Sequence, residues 1–233
     1  MTQEDDDRAF VQSKISGRIR VLAADEAPSE APAWWIEANA AAGRDAVAIA
    51  LEHWRPVVGA RLPQFLAQIE RDGTGVFLAR RARLEGKPDD LLLLYALADP
   101  DDPSAVLTRF GPLPAAAGAV PACWPNLPAE LQSFFLALHN GFHVDLGGLG
   151  LHEADSFVFP SEHGEPDDYE FWSPSEDNPH VSHLVEVAGD GCGGGLCLDV
   201  SNREGQGWDW YQGMFKAVDF WPALDTILRQ DLS

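Results

Sequence analysis

The residues that could do chemistry gather in the second half of the chain. Between Glu162 and Asp177 stand seven carboxylates, Glu162, Glu165, Asp167, Asp168, Glu170, Glu176 and Asp177, without a single Lys or Arg. Tyr169, Phe171 and Trp172 are interleaved with them. Acids steer a basic partner over a distance, and aromatic rings supply the short-range area that holds it. The stretch therefore reads either as a protein-binding surface, with Tyr169 and Trp172 as anchors, or as a solvated loop whose rings fold back into the core.

Histidine is the second concentration. Six of the seven His fall between 139 and 183. His139 and His143 have metal-ligand spacing, but Asn140-Gly141 breaks the helix that would present them on one face. No zinc-protease arrangement surrounds them, so no metal and no cofactor are expected. Gly189-Asp-Gly-Cys-Gly-Gly-Gly195 has the glycines of a phosphate cradle but precedes a strand and has no Lys nearby; it reads as a turn between strands. Cys192 and Cys197 have no nucleophile signature around them, and Cys197 alternates with leucines as a packing residue does. No Gly-x-Ser-x-Gly elbow occurs. No catalytic residue is assigned. Trp208 and Trp210 share a strand face and read as core more than as a ligand platform. Arg80, Arg81 and Arg83 form the one basic cluster, either docking the first half onto the acidic second or guarding a solvated edge strand.

Charge narrows the partners. The 233 residues carry 16 Lys and Arg against 37 Asp and Glu, a formal net charge of −21. Residues 128–233 hold only three of the bases and 19 of the acids, net −16, while residues 1–127 are near balance at −5. A surface of this sign repels a phosphate backbone and an anionic bilayer, so neither nucleic acid nor membrane is an expected partner. Eight Trp and a 45% hydrophobic content exclude a disordered acidic chain. Three cysteines do not make a disulfide framework. The start Met1-Thr-Gln-Glu-Asp-Asp-Asp7 lacks a basic leader and the longest clear apolar run is Leu91 to Ala98, so a cytoplasmic protein is expected.

The elements that must position these residues fall in two regions. Residues 1–110 read as mixed α/β. A short strand is expected at 18–22, a helix from Ala38 to Trp54, and a second helix carrying Leu62, Phe65, Leu66 and Ile69 at i, i+3, i+4 and i+7. Strands at 76–84 and 91–98 read as a hairpin. The Pro/Gly/Ala run from Gly111 to Pro121 places a linker at 111–126. In residues 127–233 a helix carries Leu131, Phe134, Phe135 and Leu138, opened by Pro128 and stopped by Asn140-Gly141. A long loop spans 160–182. Strands follow at 184–187, 196–200 and 208–211, and Asp219 caps a last helix with Phe220, Leu224, Ile227 and Leu228.

The order of that second region is distinctive: a Leu127-Pro128 helix ending in Asn140-Gly141, a Gly189-Asp190-Gly191 turn, a strand ending in Leu198-Asp199, an aromatic strand, and a Phe220-Trp-x-x-Leu224 helix. Over about residues 123–233 it resembles the SUKH superfamily, the Smi/Knr-type fold. The resemblance implies an α+β domain, mostly antiparallel sheet packed by helices, beside an additional N-terminal α/β region. It also implies a binding module, since many bacterial members look like immunity proteins that neutralise a partner toxin. The leading expectation is thus an immunity protein, not an enzyme. It would occlude the active face of a basic, cytoplasm-acting, nucleic-acid-directed toxin. A regulatory scaffold of the same fold, binding a cellular protein, is the alternative, and a metal-dependent hydrolase built on the His/Asp-rich middle is a third reading.

Overall fold

Leu91 to Ala98 shows no alternation because the strand it forms is buried on both faces. In the computed structural model, which describes residues 3–15, 17–82, 89–102, 104–116, 120–144, 148–162, 179–201, 205–211 and 214–230, the chain divides into two units, Met1–Pro114 and Ala115–Ser233. In the first, α1 (Gln3–Gln12), β1 (Ile19–Val21), α2 (Ala33–Ala40), α3 (Gly43–Val58) and α4 (Pro63–Asp72) precede β2 (Gly73–Arg81), β3 (Asp90–Ala98) and β4 (Val106–Pro112). The four strands form an antiparallel meander in the order β1-β2-β3-β4. One face, with Ile19, Phe77, Leu92, Leu94 and Phe110, packs under Val11 of α1. Tyr95, from the alternate row, meets Trp54 of α3, whose indole N–H donates to the Tyr95 hydroxyl at 2.9 Å.

Three expectations need correction here. The helix read as continuous from Ala38 to Trp54 is two helices, because Ala41 and Ala42 are extended, with ψ of 161° and 144°. Two alanines carry no side chain that could announce such a break, and the turn lets α2 bury Trp34 and Trp35 while α3 buries Trp54. β4 was not anticipated, and Gly111 and Pro112, taken as linker, close it opposite Leu93 and Leu92. Further along that segment, the Ala115 N–H donates to the Phe135 carbonyl at 2.8 Å. Arg80 and Arg81 do not guard an edge. They pair with Glu30 at 2.9 Å and Asp90 at 3.0 Å on a strand flanked on both sides by β1 and β3. Arg83 and most of the turn after it lie outside the described residues.

Tyr95 makes this unit sensitive to alkali. Burial pushes its phenol well above the ordinary tyrosine range, and the hydrogen bond from Trp54 offsets only part of that. Above about pH 10 the unfolded chain releases a proton that the folded one keeps, so stability is full below that pH and falls by about 1.4 kcal/mol per pH unit above it. Denaturant titrations from pH 9 to 11.5 should show this slope, and Tyr95→Phe should remove its share. An unchanged slope would mean that the phenol already ionises in the fold.

The second unit contains α5 (Ala129–Ala137), β5 (Phe142–His143), β6 (Leu149–Leu151), β7 (Leu184–Asp190), β8 (Gly194–Asp199), β9 (Gln206–Tyr211), β10 (Met214–Asp219) and α6 (Phe220–Ile227). Its strands are antiparallel and follow chain order from β5 to β10. Helix α5 stops where Asn140-Gly141 predicts. Gly141 takes φ of +96°, and the Asn140 side chain accepts the Ala154 N–H at 2.9 Å. Asp219 stands at the N-cap position of α6, but its side chain makes no capping bond. The fold is therefore α+β with antiparallel strands throughout. No helix among the described residues is long and apolar enough to cross a membrane.

Candidate functional site

The β7–β8 turn shows how the local sequence builds the second sheet. Asp190 Oδ1 accepts the N–H groups of Cys192 at 2.7 Å and Gly194 at 2.9 Å. Gly191 and Gly193 take φ of +75° and +90° inside that loop. The glycine run is thus a tight hairpin folded around one carboxylate, with no helix opening after it.

From this hairpin the register sets out a polar and aromatic face. Residues directly opposite each other in an antiparallel pair lie on the same side of the sheet. Glu186, Cys197, Trp208 and Ala217 therefore form one row across β7 to β10, and Gly195, Trp210 and Phe215 form the next. The opposite face meets α6, whose Phe220 backbone lies within 2.8 Å of where a Cβ on Gly207 would stand.

At the β7 end of the first row the carboxylate of Glu186 is buried, 8% exposed. A Cβ on Gly195 would lie 2.7 Å from Glu186 Cδ, so the absence of a side chain there makes the seat for the carboxyl group. His152, just after β6, holds that carboxylate through Nε2 at 2.9 Å. Its backbone N–H donates to the Val187 carbonyl at 2.9 Å, which fixes the ring over β7. Cys197 lies beside Glu186. Burial pushes its thiol pKa up, and the carboxylates of Glu186 and Asp209 push it further, so the sulfur stays protonated at neutral pH. A protonated, buried thiol is no nucleophile, and the carboxylate beside it is occupied by His152. The arrangement ties β6 to β7; it does not assemble a nucleophile and its base.

Removing the tie should be costly. His152→Ala leaves a buried carboxylate without a hydrogen-bond partner among the described residues, for about 2 kcal/mol. Glu186→Gln in the same background should recover part of the loss, because a neutral amide is cheaper to bury. Chemical denaturation of the three proteins checks this, and equal stabilities for His152→Ala and the wild type would show the pair to be idle.

Toward β10 the face becomes aromatic and open. Trp208 and Trp210 are half-buried, and their indole N–H groups have no hydrogen-bond partner among the described residues. They are not a fully enclosed core pair. At the end of the β9–β10 pair, Tyr211 is 42% and its cross-strand neighbour Met214 61% exposed.

The sites read from the sequence distribute unevenly over this frame. Glu162 ends a 3-10 turn at Pro160–Glu162. Glu165, Asp167, Asp168, Tyr169, Glu170, Trp172, Glu176 and Asp177, offered with it as the partner-binding stretch, lie outside the described residues. His139 is fully buried against Phe134 and Phe142, whereas His143 belongs to β5. Among the described residues no three His, Cys, Asp or Glu side chains converge as metal ligands would. The His152–Glu186 pair was not anticipated, because its members are 34 residues apart and only the sheet brings them together. Comparison with protein-family models, curated proteins and solved structures finds no match to the chain, so the likeness to the SUKH superfamily rests on the residues quoted for it.

Proposed function

We propose that the chain is an immunity protein of SUKH type. In this reading it binds a cognate, basic bacterial toxin in the cytoplasm, one directed at nucleic acid, and covers its active face without chemistry of its own. The observation that carries the reading is the charge asymmetry: net −16 over residues 128–233, with aromatics set among the carboxylates of 162–177. A protein that handles nucleic acid presents a basic face to its substrate. An acidic inhibitor competes for that face by imitating the substrate's charge, and it repels acidic bystanders by the same means. The order of helix, Gly-rich hairpin, aromatic strand and closing helix in the second unit supports the SUKH frame.

The test is co-expression with the product of a neighbouring gene, scored by growth rescue and by a stoichiometric complex. Within that complex, Lys at Asp167, Asp168 and Glu170 should slow association at low salt, an effect that fades as ions screen charges beyond about 10 Å at 0.1 M. Tyr169→Ala or Trp172→Ala should instead speed dissociation, by roughly 30-fold for a 2 kcal/mol anchor. Unchanged rates in both sets, with the fold intact, would remove the 162–177 stretch from the interface. Absence of any rescue or complex would sink the immunity reading.

A further inference from the structure

The two ends of the chain's strand succession treat their edges differently. A sheet edge exposes backbone donors and acceptors that invite another strand, so proteins usually block it. At β1 the block is a side chain: Gln12 of α1 donates through Nε2 to the Ile19 carbonyl at 3.0 Å and accepts the Val21 N–H through Oε1 at 2.8 Å. The amide of Gln12 thus takes the place of a neighbouring strand. Among the described residues, β10, the last strand of the second unit, has no such cover. Among the described strands its six residues pair with β9 alone, and four of them are exposed.

The register says which groups β10 offers. The Trp210 carbonyl lies on the β8 side of β9, where it would stand 2.5 Å from a Cβ on Gly194. Alternation then turns the backbone groups of Gly207, Asp209 and Tyr211 toward β10, where they meet Val218, Lys216 and Met214. The Val218 carbonyl agrees, lying 3.0 Å from the Cβ position of Gly207. The N–H and C=O groups of Phe215 and Ala217 consequently point away from the sheet. Phe215 lies beside Trp210 on one face, while Met214, 61% exposed, lies beside Tyr211 on the other.

We propose that β10 is a docking edge that takes an extended basic segment of a protein partner as an added strand, bonded to the backbone of Phe215 and Ala217. This rests on the immunity reading for the partner's biological identity, but its geometry stands apart from that reading. Charge selects the occupant. The edge belongs to a half-chain of net −16, and Asp209 and Asp219 lie on the β9–β10 pair. A second copy of the chain would bring its own −21, which opposes edge-to-edge pairing. Lys216 is the one base on the strand, and it stands directly opposite Asp209 in register. Strand addition draws affinity from main-chain bonds and selectivity from alternate side chains. Here the alternate positions meet Phe215 and Trp210 on one face and Met214 and Tyr211 on the other.

The probe is an end-capped heptapeptide of alternating Val and Arg, titrated into the full chain and followed by backbone amide shifts. Two controls accompany it, the same peptide N-methylated at alternate residues and an alternating Val and Glu peptide. Ala217→Pro removes one outward N–H at a position where an edge strand tolerates proline. The expected result is a shift centred on Phe215 and Ala217, a roughly tenfold or greater affinity loss in Ala217→Pro, and no binding of the N-methylated or acidic peptides. The N-methylated control does not depend on how well the variant folds. Equal binding of the plain and methylated basic peptides would overturn the proposal in favour of diffuse charge attraction, and so would shifts centred elsewhere or no binding. A concentration-dependent dimer abolished by Ala217→Pro would assign the edge to a second copy instead. Toxin neutralisation kept in full by Ala217→Pro would sink the docking edge and leave the immunity reading standing. A wild-type protein that binds the peptide at β10 but neutralises nothing would do the reverse.

Discussion

Replacing Arg8 by alanine is expected to cost the first unit about 3 kcal/mol, the loss typical when one member of a buried, hydrogen-bonded charge network is removed. Arg8 is 8% exposed. Its Nη1 donates to the Leu22 carbonyl at 2.8 Å and to Asn39 Oδ1 at 2.9 Å, and its Nη2 donates to the Asn39 carbonyl. Asn39 Oδ1 also accepts the Leu78 N–H at 2.8 Å. One guanidinium therefore joins α1, the segment after β1, the end of α2 and the middle of β2, and it lies 5.2 Å from the centre of the Phe77 ring. Alanine would take the guanidinium from the Leu22 carbonyl after β1 and from both Asn39 oxygens at the end of α2. Lysine keeps the charge but not the planar fork, so Arg8→Lys should fall between the two. A melting curve followed by near-UV circular dichroism reads the effect, roughly 10 °C or more for a unit of this size. A shift of a degree or two would show that water replaces the guanidinium without penalty.

Gly150→Ala should be as damaging to the second unit. Gly150 takes φ of +117°, a region closed to side chains, and a Cβ there would stand 2.3 Å from the Phe142 carbonyl oxygen. The atoms it would meet, the Phe142 carbonyl and the Cα of His143, are all backbone of β5, so nothing flexible can yield. Conformational strain and forced displacement together amount to about 4 kcal/mol. Gly193→Ala is the control. Its φ of +90° is also left-handed, yet nothing lies within 4 Å of the added carbon, and the cost should be about 1–2 kcal/mol. If the two variants unfold at the same denaturant concentration, the close approach of β5 and β6 is softer than the geometry implies.

What could be read in advance was what is encoded locally. Pro128 and Asn140-Gly141 bracket α5 because each acts on its own peptide unit, and the leucines of β8 share one face while Cys197 between them is buried on the other. Strands β5 and β6, of two and three residues, are too short to show a period. β10 went unread because an edge strand with four exposed residues has no buried row to mark it. Of the candidate site, the pairing of Trp208 with Trp210 on one face followed from spacing. The seat of Glu186 on Gly195 did not. A glycine that makes room for a distant carboxylate looks, in sequence, like any glycine of a flexible turn. The acidic stretch was legible as composition alone, because carboxylates without periodicity specify a charge and not a conformation.

The three thiols also differ in what reagents can reach. Cys123 and Cys197 are buried, and burial pushes both thiols upward in pKa, whereas Cys192 sits exposed on the turn that Asp190 closes. A maleimide dye added to the folded, unmodified protein should therefore attach at one position. That position is held by two hydrogen-bonded amides, so the dye rides on the sheet and not on a swinging loop. The wild-type chain thus carries its own single-site fluorescent handle, one strand pair away from β10, and the remaining two sulfurs count unfolded molecules as they become alkylated.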